Sequence, residues 1–196
     1  MHLAEQYNIS GNTYRETGEV ADLTTLVRDC IAQNRLAQRR FYDRYSPLIY
    51  TIIKRYEYNE QAAGEILNDV FLKVFTKLEQ YSFEGAIEGW MRRIAINTIT
   101  DHIRKYVKDK QVVHNELQDY NAYIDSSAVQ GMAYKELLDL IHGLPEMQKA
   151  VFNLHVFESL PHKDIGTLLN ITENNSRWYL NMARKSLKEK INSLMK

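Results

Sequence analysis

The chain of 196 residues holds one cysteine, three prolines and eight glycines. A lone Cys30 excludes an internal disulfide and any cysteine-built zinc site, and it suits a reducing compartment. No stretch approaches the roughly 18 consecutive apolar residues that a membrane span needs. The segment from Met1 to Gly18 is polar and lacks the apolar run of a secretory leader. The expectation is a cytoplasmic protein without a membrane span. Also missing are a glycine-rich phosphate loop, an HExxH pair and a nucleophile beside a base, so neither an enzyme nor a cofactor is expected. His155, Glu158 and His162 have a spacing that hints at a metal, but Pro161 interrupts any helix between them, and no metal site is expected.

So few helix breakers, set mostly near the ends of apolar-periodic segments, predict an all-α fold with no alternating strand pattern. A hydrophobic content of 44% is enough to bury cores without disulfides. Net charge is zero, with 25 basic and 25 acidic side chains, but it is segregated along the chain. Residues 91–110 carry six basic and two acidic side chains, and residues 177–196 carry six and one. Residues 111–130 carry three acids and no Lys or Arg. The division that follows is a leader at 1–20, a helical unit at 21–110, an acidic linker at 111–130 and a second helical unit at 131–196.

In the first unit, Ala63, Ile66, Leu67, Val70, Phe71, Val74, Phe75 and Leu78 repeat at the helical period and predict a core stripe. On the opposite side stand Glu65, Asp69, Leu72 and Thr76, where Leu72 is either an ordinary isolated exposed leucine or a partner-protein contact ringed by acids. The helix from Trp90 to Lys110 divides into an arc of Met91, Ile94, Ala95, Thr98, Ile99, His102 and Tyr106, expected to be buried, and a second arc of Arg93, Asn97, Thr100, Asp101, Arg104 and Lys108. Trp90 falls on the second arc by periodicity, and a helix-start aromatic packed under the preceding loop fits its position equally well. Arginine and lysine neutralise phosphates, while asparagine can make paired hydrogen bonds to a base edge. The glycine-bounded loop at 80–89 places Tyr81 and Phe83 beside this arc, and aromatic platforms next to positive charge hold single-stranded bases at roughly 1–3 kcal/mol per stacked base. A simple anchoring role for Phe83 fits its sequence position equally well.

In the second unit, Tyr134, Leu137, Leu138, Ile141 and Leu144 form one stripe, ended at Gly143 and Pro145. Met147, Val151, Leu154 and Phe157 form another. A short helix near 162–169, a turn at 170–172 with Thr172 as N-cap, and a long cationic helix from Glu173 make a helix-turn-helix layout. On the long helix Leu180, Ala183, Leu187, Ile191 and Leu194 predict the core, and Glu173, Arg177, Asn181, Arg184 and Lys188 line a separate face. Arg177 and Asn181, near the helix start, are the expected base readers. Arg184 and Lys185 would meet phosphates.

The sequence resembles the extracytoplasmic-function group of bacterial RNA polymerase sigma factors. The run from Ala62 to Phe75 is similar to that family's "AEDilQdvFlkvw", and Trp90–Asn97 with Asp101–Lys105 is similar to its "WLyrIarN…Dh.Rk". Leu144-Pro145, Val151–Leu154, Ile171–Arg177 and Ala183-Arg184 follow "Lp…vf.L…is.gtVksr..rAr". The resemblance implies binding to core RNA polymerase through Glu65, Asp69, Leu72 and Thr76. It implies capture of the melted minus-ten element by Tyr81, Phe83, Trp90, Arg93, Asn97, Arg104 and Lys105, and reading of the minus-thirty-five element by Glu173, Arg177, Asn181, Arg184 and Lys185. Core polymerase and promoter DNA are the implied partners, and an anti-sigma factor is one that the family allows.

The chain departs from the pattern at Gly64, where the family has an acid, at Pro161, His162, Asp164 and Gly166, and at Asn174, Asn175 and Ser176. Ser176 falls on the core stripe, which suggests a loosely packed second unit. The twenty-residue linker reaches at most ~66 Å at ~3.3 Å per residue, about 19 base pairs of duplex, so two elements nearly two turns apart are accessible. Its acidity suits a strand lying in the polymerase's RNA-exit path. A stand-alone helix-turn-helix regulator and a helical scaffold with a degenerate reading helix are the alternative readings.

Overall fold

The computed structural model describes residues 22–109 and 134–194, so the leader and the acidic linker lie outside the described residues. Every regular element among the described residues is helical. The first unit comprises α1 (22–31), α2 (Arg35–Ile53), α3 (Glu60–Lys77), a 3-10 turn (Leu78–Gln80) and α4 (Ile87–Asp109). The second comprises α5 (Tyr134–His142), α6 (Glu146–Val156), α7 (His162–Leu169) and α8 (Glu173–Leu194).

Side-chain caps set the helix starts. Asn34 Oδ1 accepts from the Leu36 and Ala37 amides at 2.9 and 3.1 Å, and Asn59 Oδ1 accepts from the Ala62 amide at 3.0 Å. Each bond satisfies a donor that the first turn of a helix otherwise leaves orphaned. Pro47 does not end a helix as its type suggests but lies inside α2. The buried stripe Phe41, Tyr45, Ile49 and Ile52 runs through it unbroken, and Pro47 faces solvent, so packing on one face outweighs one lost backbone bond.

The expected α3 stripe is buried from Ala63 to Leu78, with Phe75 partly so, and it packs against Phe41 and Tyr45 of α2 and Met91, Ile94 and Ala95 of α4. In the second unit Ile141, Leu144, Val151, Leu154, Ile165, Leu180, Ala183 and Leu187 form the core. Tyr134, expected in that core, is half exposed, and Leu194 is exposed at the end of α8. Ser176 does not loosen the unit. It is fully buried, and its hydroxyl is 2.9 Å from His162 Nδ1, so the polar group is satisfied inside the bundle.

The helix-turn-helix turn explains two of the unusual residues. Asn170 takes the left-handed conformation that closes α7, with φ 55°, and Thr172 Oγ1 accepts from the Asn175 amide at 3.1 Å, as its N-cap position predicts. The turn then passes so close to α7 that a Cβ on Gly166 would lie 2.8 Å from the Ile171 carbonyl oxygen. Only glycine fits there.

The two units are not separate. α4 packs against α2 and α3 on one side and against α6 and α7 on the other. Ile96, Thr100 and Ile103, which lie outside the arc expected to be buried, are all under 7% exposed. Thr100, expected on the polar arc, is turned inward and donates to the Ile96 and Asn97 carbonyls. Tyr106, expected in the core, is half exposed. Burial therefore covers about two-thirds of the α4 circumference at 100° per residue. What remains open is the strip bearing Arg93, Asn97, Asp101 and Arg104.

Polar contacts complete the junction. Glu158, in the turn after α6, is 4% exposed at its side chain and pairs with both Arg92 of α4 and Arg55 after α2. Arg92 also donates to the Phe157 carbonyl at 3.1 Å, Asn153 Nδ2 donates to the Arg55 carbonyl at 2.7 Å, and the Arg55 guanidinium lies over the Phe157 ring at 4.9 Å. The cap bonds are local to the first unit and easily tested. Asn34→Ala should lower unfolding free energy by about 1 kcal/mol in urea titration without changing the slope.

Candidate nucleic-acid interface

The outer face of α3 follows from the amphipathic pattern: with Val70, Phe71 and Val74 buried, Glu65, Asp69, Leu72 and Thr76 are all exposed, Leu72 at 67%. Two of its neighbours tie α3 to α4. Asp69 Oδ2 lies 2.9 Å from His102 Nε2, and Lys73 Nζ donates to Asp101 Oδ2 at 3.1 Å. Gln61 donates to Glu65, and the Thr76 hydroxyl donates to the Leu72 carbonyl. An apolar side chain thus stands on a rigid face beside two acids.

The loop after α3 is built around Tyr81. That residue, expected as a stacking platform, is 7% exposed, and its hydroxyl donates to the Gly85 carbonyl at 2.7 Å across the turn. Burial and then the Glu88 charge push its hydroxyl pKa up from 10.0. Tyr81 is the anchor of the loop, the role that sequence position left open for Phe83. Its ring supports two others, Phe83 at 4.8 Å and Trp90 at 5.6 Å between centroids. Phe83 is 45% exposed, in a left-handed backbone conformation with φ 59°, and Trp90 is partly buried at the start of α4.

From Trp90 the open strip of α4 continues through Arg93, Asn97, Arg104 and Lys105, all exposed. Arg104 pairs with Asp101, which Lys73 also holds. Burial acts to raise the Asp101 pKa, but the Lys73 and Arg104 hydrogen bonds and charges outweigh it and keep the carboxyl below its ordinary 3.8. The carboxylate therefore stays charged and clamps Arg104 on the edge of the strip. An aromatic pair at one end and cationic and amide side chains along one line are suited to a nucleic-acid strand.

In the second unit the start of α8 carries Glu173 and Arg177, exposed and ion-paired to each other at i,i+4. Asn181, Arg184 and Lys185 follow, each partly exposed. Beneath them His162 stacks on His155, with centroids 4.6 Å apart and planes at 12°. With Glu158 held by Arg55 and Arg92, the three residues that hinted at a metal have gone to different partners.

Pattern reading passed over Arg55 and Arg92 and noted Glu158 only for its spacing from His155 and His162, not as their partner. Nothing local marks a contact across 103 positions. One signal did exist: Ile96 and Ile103, seven apart on α4 and outside its first stripe, are the mark of a second buried face.

A helical bundle with an open aromatic and cationic strip, joined to a helix-turn-helix whose second helix is basic, is the layout of a promoter-reading initiation factor. The sequence model of Sigma-70 region 2 matches residues 41–108, and that of Sigma-70, region 4 matches residues 134–187. Among curated relatives, the ECF RNA polymerase sigma factor SigM of Bacillus subtilis is 23% identical over 152 residues, covering 75% of this chain and 90% of that protein. The ECF RNA polymerase sigma-E factor of Haemophilus influenzae is 22% identical over 163 residues, covering 78% and 86%. A solved complex of the sigma factor RpoE with the anti-sigma factor NepR from Bartonella quintana aligns over 81% of this chain and 98% of that one, at 13% identity and a TM-score of 0.48. The chain belongs to the sigma-70 family, in its extracytoplasmic-function group. It is a sigma factor, not an enzyme, and it binds core RNA polymerase and promoter DNA to direct transcription initiation.

The histidine under the reading helix has a consequence for stability. Burial first, then the positive charges of His155, Arg177 and Arg184, hold the His162 pKa below its ordinary 6.5. A base depressed in the folded state contributes stability that is full above 6.5 and is lost as pH falls through that value, because the unfolded chain takes up the proton more readily. The urea midpoint should therefore drop between about pH 7 and about pH 5, and His162→Gln should flatten that dependence.

Proposed function

We propose a division of labour among the exposed surfaces. In this reading the region 2 unit spans 21–110 and the region 4 unit spans 131–196, with the acidic linker at 111–130 between them. Leu72, ringed by Glu65, Asp69 and Thr76, docks on core polymerase. Phe83 and Trp90, backed by Tyr81, receive unstacked bases of the minus-ten element, while Arg93, Asn97, Arg104 and Lys105 hold its strand. Glu173, Arg177, Asn181, Arg184 and Lys185 meet the minus-thirty-five duplex, Arg177 exchanging Glu173 for a base edge. The protein works in the cytoplasm, where polymerase and chromosome are.

The observation that carries this reading is the open third of α4. A helix packed on both flanks has no structural need for Arg93 and Asn97 in line with an outward aromatic pair. Melting costs a few kcal/mol of unstacking, which stacking on Phe83 and Trp90 offsets at about 1–3 kcal/mol per base. Discrimination upstream comes from paired hydrogen bonds worth about 1–3 kcal/mol each.

Leu72→Ala should weaken binding to core polymerase tenfold or more, from loss of about 1.5–3 kcal/mol of burial, with unchanged circular dichroism. Phe83→Ala should slow opening of a duplex promoter, and a template melted in advance at the minus-ten element should restore initiation. Arg177→Ala should relax the upstream sequence preference in run-off transcription and leave permanganate reactivity of the melted strand intact. Loss of melting in Arg177→Ala, or normal opening in Phe83→Ala, would overturn the assignment.

A further inference from the structure

One polar contact is set into the otherwise apolar seat of the reading helix. Along α8 the inward residues Leu180, Ala183, Leu187 and Ile191 are all buried and apolar. Ser176 occupies the same stripe one turn earlier, at 0% exposed. A hydroxyl placed there costs stability unless it is bonded, so an apolar side chain is the ordinary occupant. Its partner is His162 Nδ1, 2.9 Å away at the start of α7. Both residues are departures from the sigma-factor pattern, and they meet each other.

The bond is directed at a fixed point, because the His162 ring is itself held. It stacks on His155 of α6 with centroids 4.6 Å apart and planes at 12°, and His155 Nδ1 lies 3.0 Å from the Leu160 carbonyl oxygen. A line of contacts therefore runs from α6 through the head of α7 into the first turns of α8. The Thr172 cap and the close approach at Gly166 fix where α8 begins, but a starting point leaves rotation about the helix axis free. Apolar contact is non-directional, whereas a hydrogen bond weakens steeply off its line. With side chains reaching about 6 Å from the axis, a rotation of about 20° carries a head group about 2 Å. The window of a good hydrogen bond is about 0.5 Å wide, so paired contact with a base does not survive that displacement. Arg177 directly follows Ser176. Its ion pair with Glu173 lies within α8, turns with the helix and cannot set its direction.

We propose that His162 is a positioning residue for upstream recognition: through Ser176 it sets the rotation of α8, and so the direction in which Arg177 and Asn181 meet the minus-thirty-five duplex. Recognition thus depends on a side chain that touches no DNA. The seating of α8 is a property of the free chain, whereas its link to discrimination rests on the assignment of Arg177 as a base reader.

The test uses the full chain with its two tryptophans, Trp90 and Trp178, labelled as fluorotryptophan. Trp178 neighbours Arg177 and reports on α8, and Trp90 in the first unit is the control. Fluorine NMR of the wild type should show one narrow line for each. Ser176→Val fills the site without a hydroxyl, and His162→Phe keeps a ring against His155 without the nitrogen. Each should broaden or double the Trp178 line, with the Trp90 line and the circular dichroism unchanged. Ser176→Thr keeps the hydroxyl and should keep the wild-type line. In run-off transcription from a promoter library with core polymerase, both apolar variants should lose about tenfold in preference at the base position that Arg177→Ala also relaxes. The double variant should be no worse than either single one, because the two residues act through one bond. Narrow Trp178 lines with unchanged preference in both variants would sink the positioning role, as would losses that add in the double variant. A disturbed Trp178 line, with no change of preference in Arg177→Ala, would leave the seating of α8 standing and count against Arg177 as the reader instead.

Discussion

A helix has one circumference, and α4 divides it among three tasks. Met91, Ile94 and Ala95 close the first core, Ile96, Thr100 and Ile103 are buried on a second arc where the second unit packs, and Arg93, Asn97 and Arg104 stay exposed on the third. Each arc is about a third of the surface, which is close to the least that a packed face needs. The other elements take their positions from this partition. α2 and α3 lie where they cover the first arc, α6 and α7 where they cover the second, and the loop at 80–89 enters at the edge of the third. Asn97 is exposed on the third arc, so an isoleucine there would add apolar surface to solvent without adding burial.

Electrostatics at the protein's two faces obey opposite rules. On the outside, Asp101 clamps Arg104 and Lys73, and Glu173 holds Arg177, in exposed pairs that contribute little to stability. Inside the junction, Glu158 is nearly out of water, so the identity and number of its partners matter. Zero net charge follows from having both. The cationic strips are balanced by acids within the same molecule, and the polymerase supplies the wider field that a small neutral protein lacks.

Much of the architecture was legible in the chain. The α3 stripe, the turn at Asn170 with its Thr172 cap, the final helix from Glu173 and the α4 strip all follow from local period and capping chemistry, which act over a few residues. The misses have a shared cause. Tyr81 and Tyr106 exchanged their expected exposures, Thr100 turned inward, and Ser176 found His162, because each outcome depends on a neighbour that periodicity cannot see. Pro47 inside α2 is a case of propensity losing to a continuous buried stripe. Of the proposed site, the exposed residues were readable as types in a pattern, while the burial of Tyr81 was decided by the reach of its hydroxyl to the Gly85 carbonyl, which leaves Phe83 exposed.

What the sequence determined by itself is everything that repeats at 3.6 residues or ends at a cap: the helices, their core faces, the basic strips and the family they spell. Those features are set by contacts within a few turns of chain. Only the tertiary structure decided that the two units share one packed core, with Glu158 placed between Arg55 and Arg92. The reason is physical. A lone acid in a turn carries no period, and its partners, 103 and 66 positions away, become neighbours only after both bundles have formed and their faces meet.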